Sequence, residues 1–189
     1  FVADIGAEAE RLSRITEDLL RLTRLDSGVL EPPTVVEVLP VLEQVMRMMS
    51  LVAQEKQVEL TYTAQPGCAV LATPDELNQV IYNLTDNAVK YTGAGGAVQV
   101  SLACREETVI LEVADNGPGI PEEDLPRIFE RFYRVDKARS RAAGGTGLGL
   151  SIVSDTVKRR GGTVEAANRP EGGTVFTVRW PAAKGGNAA

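Results

Sequence analysis

The chain has 189 residues, 43% apolar and 24% charged, enough apolar side chain for a buried core and too much for wholesale disorder. Its 26 acidic and 20 basic residues leave a net charge of -6, which argues against a nucleic-acid-binding surface. No apolar run approaches membrane-spanning length, and Cys68 and Cys104, alone in apolar strand-like stretches, read as two buried reduced thiols.

Residues 2–26 read as one helix. Ile5, Leu12 and Leu19 recur along one seam with Ile15 and Leu22 between them, while Glu8, Arg11, Arg14, Asp18 and Arg21 take the other faces. Such a seam suits packing against other helices, or lying on the chain's own globular domain. The sequence opens inside this helix, so it reads as a piece of something longer. Ser27-Gly28 can end the helix, and Glu31-Pro32-Pro33 makes a stiff break. Residues 40–57 have helical periodicity through Leu42, Val45, Met49 and Val52, and strands are expected over 58–63 and 69–72 around a Pro66-Gly67 turn. Thr73-Pro74-Asp75-Glu76 is a helix start, with Thr as N-cap, Pro at the first position and Glu closing a capping box; that helix runs to about residue 91. Residues 97–103 and 108–114 alternate as antiparallel neighbours, 122–134 reads as a short helical segment, and 135–143 has no apolar period. A helix over 148–160 stops at Gly161-Gly162, and 163–167 and 174–180 form a last hairpin before a frayed tail.

Three stretches carry chemistry. On the helix from Thr73, at roughly 100° per residue, Asn83, Asn87 and Lys90 share one stripe beside the core-facing Leu77, Val80, Ile81, Leu84, Ala88 and Tyr91. An amide oxygen can complete a magnesium shell made mostly of phosphate and water, and a lysine supplies compact positive charge for phosphates. Asp115-Asn116-Gly117-Pro118-Gly119-Ile120 follows directly on a strand, placing a carboxylate at the sheet end and glycines that let backbone approach a ligand. That carboxylate can accept from an exocyclic amine, as adenine presents; an ordinary Asn-Gly turn is the plainer alternative. Gly144-Gly145-Thr146-Gly147-Leu148-Gly149-Leu150 leads into a helix, and its free N–H groups with the positive helix end make a phosphate cradle. Ahead of it, Arg131-Phe132-Tyr133-Arg134, Lys137, Arg139 and Arg141 stand in a basic stretch. A P-loop is excluded because Gly-x-x-x-x-Gly-Lys-Ser/Thr occurs nowhere, and a dinucleotide fingerprint fails for want of its third glycine.

In this order the stretch from Asn83 to Tyr91, the stretch from Asp115 to Ile120 and the stretch from Gly144 to Leu150 resemble the N, G1 and G2 boxes of the ATP-binding domain of sensor histidine kinases. That fold is shared with gyrase, heat-shock-chaperone and mismatch-repair ATPases. The leading segment, Ala9-Glu10-Arg11-Leu12-Ser13-Arg14 through Leu22 to Gly28, resembles the second helix of the kinase dimerisation domain. The resemblance implies an α+β, two-layer sandwich of Bergerat type, a mixed and mostly antiparallel sheet under a helix layer, preceded by a long helix. It divides the chain into 1–28 (dimerisation helix), 29–183 (ATP-binding domain) and 184–189 (disordered tail).

The same resemblance implies Mg²⁺-ATP as ligand. Asn87 becomes the magnesium ligand, with Asn83, Lys90 and Tyr91 lining the site. Asp115 binds the adenine amine, and Gly117 and Gly119 admit the ring beside Ile120. Phe132 and Arg134 belong to the F box and a mobile lid. Gly145, Thr146, Gly147, Leu148, Gly149 and Leu150 hold phosphates, and Thr174, after Gly172-Gly173, lies near the adenine. Asn83, Lys90 and Arg134 would carry the transfer.

Hydrolytic relatives place a glutamate general base at position 83, and Asn83 cannot take a proton at neutral pH. A kinase tolerates the amide because its attacking group, a neutral imidazole, is already nucleophilic. The chain has no histidine, so the acceptor is expected on a helix upstream of this sequence. The implied protein is a cytoplasmic domain of a membrane-anchored sensor, joined to the membrane only through upstream segments. It would be a homodimer at full length and pass phosphate to a cognate response regulator. A hydrolytic ATPase, or a nucleotide-gated docking module without catalysis, are the alternatives.

Overall fold

A computed structural model describes residues 2–27, 31–135 and 145–183. The chain begins with helix α1, Val2–Ser27, followed by strand β1, Thr34–Glu37, and helix α2, Val38–Glu55. Strands β2 (Glu59–Ala64) and β3 (Ala69–Ala72) precede helix α3, Pro74–Tyr91. Strands β4 (Ala97–Arg105) and β5 (Thr108–Asp115) form a hairpin; helix α4 (Gly149–Arg159) and strands β6 (Thr163–Asn168) and β7 (Thr174–Pro181) complete the fold. The main sheet has five strands in the order β2-β4-β5-β7-β6, with β2 and β4 parallel and every other pair antiparallel. This is the mixed, mostly antiparallel sheet under a helix layer that the resemblance implies.

Strand alternation builds the core. Val98, Val100 and Leu102 of β4, Val109, Leu111 and Val113 of β5, and Phe176, Val178 and Trp180 of β7 all point to one side. There they meet Leu42, Val45 and Met49 of α2, Leu77, Ile81 and Leu84 of α3, and Val153 and Val157 of α4. Each such leucine or phenylalanine removed from water contributes on the order of 1.5–3 kcal/mol.

Helix α3 starts where local chemistry dictates. Thr73 Oγ1 accepts from the Glu76 N–H at 3.2 Å, Glu76 Oε2 accepts from the Thr73 N–H at 2.9 Å, and Pro74 opens the first turn. Glu76 then accepts two hydrogen bonds from Arg160, at 2.8 and 2.7 Å, with the two side chains 15% and 10% exposed. One glutamate thus caps α3 and clasps the end of α4, holding the two helices that flank the site side by side.

Four features differ from the sequence reading. β1 is additional: it pairs antiparallel with β3, Thr34 opposite Ala72 and Glu37 opposite Ala69, in a separate two-stranded sheet. α2 consequently begins before Pro40, which sits in its first turn. The helical segment expected over 122–134 is a single 3-10 turn, Leu125–Arg127. Pro126 has no N–H for an α-helical bond, and Phe132 adopts a left-handed φ of 64°. Cys68 and Cys104, expected as separate reduced thiols, are instead joined as a disulfide, with Cα atoms 5.6 Å apart. Parallel pairing carries β2 alongside β4 as far as Gln65, whose N–H donates to the Leu102 carbonyl, so the returning chain passes Cys104. The expected tail, residues 184–189, lies outside the described residues. No helix among the described residues is long and apolar enough to cross a membrane.

Helix α1 rests on the remainder of the chain through its C-terminal half. Leu22 is buried against Leu148 and Ile152, while Leu12, Leu19 and Leu20 stay exposed.

Candidate functional site

Between α3 and the start of α4 lies a cavity of about 530 Å³, a volume ordinary for a small-molecule site. Three regions supply most of its lining, and Glu17 and Asp18 of α1 and Met48 of α2 add to it.

α3 supplies one wall. Its core stripe turns Leu77, Val80, Ile81 and Leu84 inward, which leaves Asn83, Asn87, Lys90 and Tyr91 facing the cavity. Asn83 Nδ2 donates to the Gly149 carbonyl at 3.2 Å, tying α3 to the first residue of α4. Lys90 Nζ pairs with Asp86 Oδ2 at 3.1 Å, one turn back on the same helix. Asp86 also lines the cavity, and the sequence reading passed over it although its i, i+4 spacing from Lys90 is visible there.

The end of β5 supplies the second wall. Asp115 is 6% exposed, and its Oδ1 accepts from the N–H groups of Gly117 at 2.8 Å and Thr174 at 3.2 Å. Among the described residues nothing donates to Oδ2, which is left for a ligand. Burial pushes the Asp115 carboxyl above its ordinary range, opposed by those two N–H donors and by the nearby Arg169 guanidinium. Gly119, at a φ of 77°, and Ile120 continue the wall, and Thr174 and Phe176 of β7 close it.

The third wall is the glycine loop. Gly145, Thr146, Gly147, Gly149 and Leu150 line the cavity, and the N-terminal end of α4 follows immediately. Gly147 needs its glycine twice over: φ is 76°, and a Cβ would lie 3.0 Å from the Phe132 Cα. The Gly147 carbonyl accepts from the Phe132 N–H at 2.8 Å, which brings Arg134 to the cavity as well.

Asn83, Asn87, Lys90, Tyr91, Asp115, Gly119, Ile120, Arg134 and Thr174 therefore share one hollow with the glycine loop. Three residues named from the sequence stand back from it. Gly117 lies behind Asp115, holding its carboxylate. Phe132 is 62% exposed, and Leu148 is buried beneath the loop against Leu22 and Ile152. Lys137, Arg139 and Arg141 of the expected lid, and Gly144, lie outside the described residues.

Sequence reasoning missed several contacts between distant segments, and with them Asp18, Asp26, Asp155, Asn168 and Arg169. Thr146 Oγ1 donates to Asp18 Oδ2 of α1 at 2.8 Å. Arg131 grips Asp26 of α1 with two hydrogen bonds, at 3.0 and 2.8 Å, and reaches Asp155 of α4 at 3.1 Å. Its guanidinium holds the Asp26 carboxyl below the usual range. Arg169 Nη1 donates to the Asp115 carbonyl at 3.0 Å, and Asn168 clasps Ile120. No local pattern announces any of these contacts.

Chemically, one end of the hollow offers a desolvated carboxylate with one oxygen unengaged among the described residues, the middle offers neutral amides and a lysine, and the far end offers backbone N–H groups at a helix mouth. That order suits a ligand with an amine at one end and anionic groups at the other.

A family model described as "Histidine kinase-, DNA gyrase B-, and HSP90-like ATPase" matches residues 72–184. The chain is similar to the signal transduction histidine-protein kinase BaeS of Escherichia coli K12, 35% identical over 181 residues, covering 95% of this chain and 39% of that protein. It is similar also to the signal transduction histidine-protein kinase AfsQ2 of Streptomyces coelicolor, 38% identical over 177 residues, covering 94% of this chain and 32% of that protein. Among solved structures, full-length ShkA in complex with AMPPNP superposes with a TM-score of 0.81 at 32% identity, covering 96% of this chain and 37% of ShkA. The chain thus spans about a third to two fifths of the length of these relatives.

Proposed function

Because the chain belongs to the family of histidine kinase-, DNA gyrase B- and HSP90-like ATPases, as an ATP-binding catalytic domain of the sensor histidine kinase kind, we propose that it holds Mg²⁺-ATP for transfer of the γ-phosphoryl group to a histidine outside this sequence. The observation that carries this reading is the convergence of Asp115, Asn87 and Gly147 on one cavity. Asp115 Oδ2 accepts from the adenine amine while Oδ1 stays engaged by Gly117 and Thr174. Lys90 and the N–H groups of the glycine loop take the phosphates. Arg134, beside Gly147, is suited to the charge that builds on the transferred group.

The donor set fits a magnesium ion carried in with the nucleotide. Asn87 offers a neutral oxygen from the same helix face as Lys90, and the ion would shield phosphate charge there, with phosphate and water supplying its other ligands. Asn87→Ala is expected to abolish the magnesium dependence of ATP binding and leave adenine recognition largely in place. Calorimetry with and without magnesium measures both, and a variant with unaltered magnesium dependence removes Asn87 from the metal.

Asn83 is an amide committed to the Gly149 carbonyl, so it cannot deprotonate water. A neutral imidazole needs no such base. Its nitrogen forms the bond to phosphorus as the bond to the β,γ-bridging oxygen breaks, and ADP leaves with that electron pair. On the same family reading, α1 belongs to a dimerising helical bundle of a cytoplasmic portion, and a response regulator receives the phosphoryl group from the histidine.

Radiolabelled ATP tests the reading directly. Incubated with this chain and a separate histidine-bearing helix pair from a sensor kinase, it should label the helix pair, with label lost in acid and kept in base. This chain should stay unlabelled. Label on this chain, or phosphate released to water faster than it is transferred, would overturn the assignment.

A further inference from the structure

The turn after β5 leaves Ile120 with no backbone partner for its N–H or its carbonyl among the described residues. Both groups are met by one side chain. Asn168 Oδ1 accepts from the Ile120 N–H at 2.9 Å, and Asn168 Nδ2 donates to the Ile120 carbonyl at 2.6 Å. The amide thereby does for a single turn residue what a neighbouring strand does for a ladder residue, across 48 positions of sequence. Gly119 lies against the same amide, since a Cβ there would meet Asn168 Oδ1 at 3.0 Å. Gly119 and Ile120 line the cavity beside Asp115, whereas Asn168 does not reach it. Arg169, the next residue, donates to the Asp115 carbonyl.

We propose that Asn168 is a positioning residue for the adenine end of the site: it fixes the Gly119–Ile120 wall at the distance an aromatic base requires, without touching the nucleotide. The inference rests on the ATP reading above and adds to it a residue outside the cavity that governs base recognition separately from phosphate recognition. Residue chemistry supports the assignment. Only an amide side chain presents a donor and an acceptor side by side, as a peptide does, so neither aspartate nor alanine reproduces both bonds.

Two measurements on the intact chain test it. In the first, amide hydrogen exchange is followed at Ile120 and, as an internal control, at Gly117. Asn168→Ala should expose the Ile120 N–H to exchange while leaving Gly117, held by Asp115, protected. Asn168→Asp keeps an acceptor for that N–H and should keep it protected, while setting a carboxylate against the Ile120 carbonyl. In the second, ATP and inorganic triphosphate are titrated separately. Asn168→Ala should weaken ATP about five- to tenfold, as expected for losing two neutral hydrogen bonds that act on the base indirectly. Triphosphate binding should be unaltered, because the glycine loop is held by other contacts. Asn168→Asp should weaken ATP likewise, so the result stands even if the alanine variant folds poorly.

An equal loss for ATP and triphosphate would reduce Asn168 to a general structural role. Unchanged ATP affinity in both variants would remove it altogether. If the unaltered chain binds triphosphate but shows no preference for ATP, both the nucleotide reading and this refinement fall; if it prefers ATP and both variants match it, the refinement alone falls.

Discussion

Asp115→Asn is expected to weaken ATP binding roughly ten- to a hundredfold without loss of the fold, the effect of removing a charge-assisted hydrogen bond and presenting a donor in its place. The substitution separates the two jobs of this carboxylate. An asparagine oxygen still accepts from Gly117 and Thr174, so the turn and the start of β7 keep their anchor. The position of Oδ2 becomes an NH₂ group facing the adenine amine, donor against donor.

Burial raises the Asp115 carboxyl above its ordinary value of 3.8, so the folded chain holds that proton more tightly than the unfolded chain does. The stability linked to this group is therefore fully present at acid pH and lost as pH rises through the raised value. At neutral pH the ionised form is a burden on the fold. The neutral asparagine should accordingly leave the melting temperature equal or slightly higher while affinity drops. ATP affinity of the unaltered chain should decline on acidification sooner than an ordinary aspartate would allow. Calorimetry and thermal unfolding give the two readouts. Unchanged affinity with an intact fold would end the adenine role of Asp115.

Gly173→Ala is expected to destabilise the chain by about 3–5 kcal/mol, combining a left-handed backbone with overpacking against main chain. Gly173 has a φ of 90°, and a Cβ there would lie 2.0 Å from the Asp115 carbonyl oxygen and 2.7 Å from the Asn116 Cα. Those are backbone atoms of the turn that presents the carboxylate, and they have no rotamer to change. The β6–β7 hairpin can relieve the clash only by moving away from β5, which breaks the Thr174 N–H bond to Asp115. A loss of that size is a large share of the roughly 5–15 kcal/mol that holds a domain folded.

Gly172 is the control. Its φ is 101°, but nothing lies within 4 Å of the added Cβ, so Gly172→Ala should cost only the backbone strain, about 1 kcal/mol. Urea unfolding of the two variants measures the difference. Equal midpoints would show that the close approach to Asp115 carries no energy.

These two glycines mark how far a sequence can be read. As neighbours in a Gly-Gly-Thr stretch they are indistinguishable, and only the approach of β5 makes one of them indispensable. The same division runs through the whole chain. The start of α3 was legible because its capping box spans one turn and involves only Thr73, Pro74 and Glu76. Asn83, Asn87 and Lys90 were legible as a stripe because helical periodicity sets which residues face together. The Asp115 turn and the glycine loop were legible through their local backbone demands: left-handed φ at Gly119 and Gly147, and free N–H groups ahead of a helix.

What escaped were contacts between segments far apart in sequence. β1 has no pattern of its own and exists because β3 pairs with it. The Cys68–Cys104 bond follows from the parallel register of β2 and β4. Leu148 looked like part of the phosphate loop and is instead the floor on which Leu22 of α1 rests. Asn168, in an ordinary hairpin, became the clasp of the Gly119–Ile120 wall of the cavity. Backbone dihedrals, caps and periodicity are encoded within a few residues, so the sequence by itself determined the elements and the chemistry each can offer. Pairing register and side-chain contact depend on the closed fold, and tertiary structure alone decided which of those offers meet.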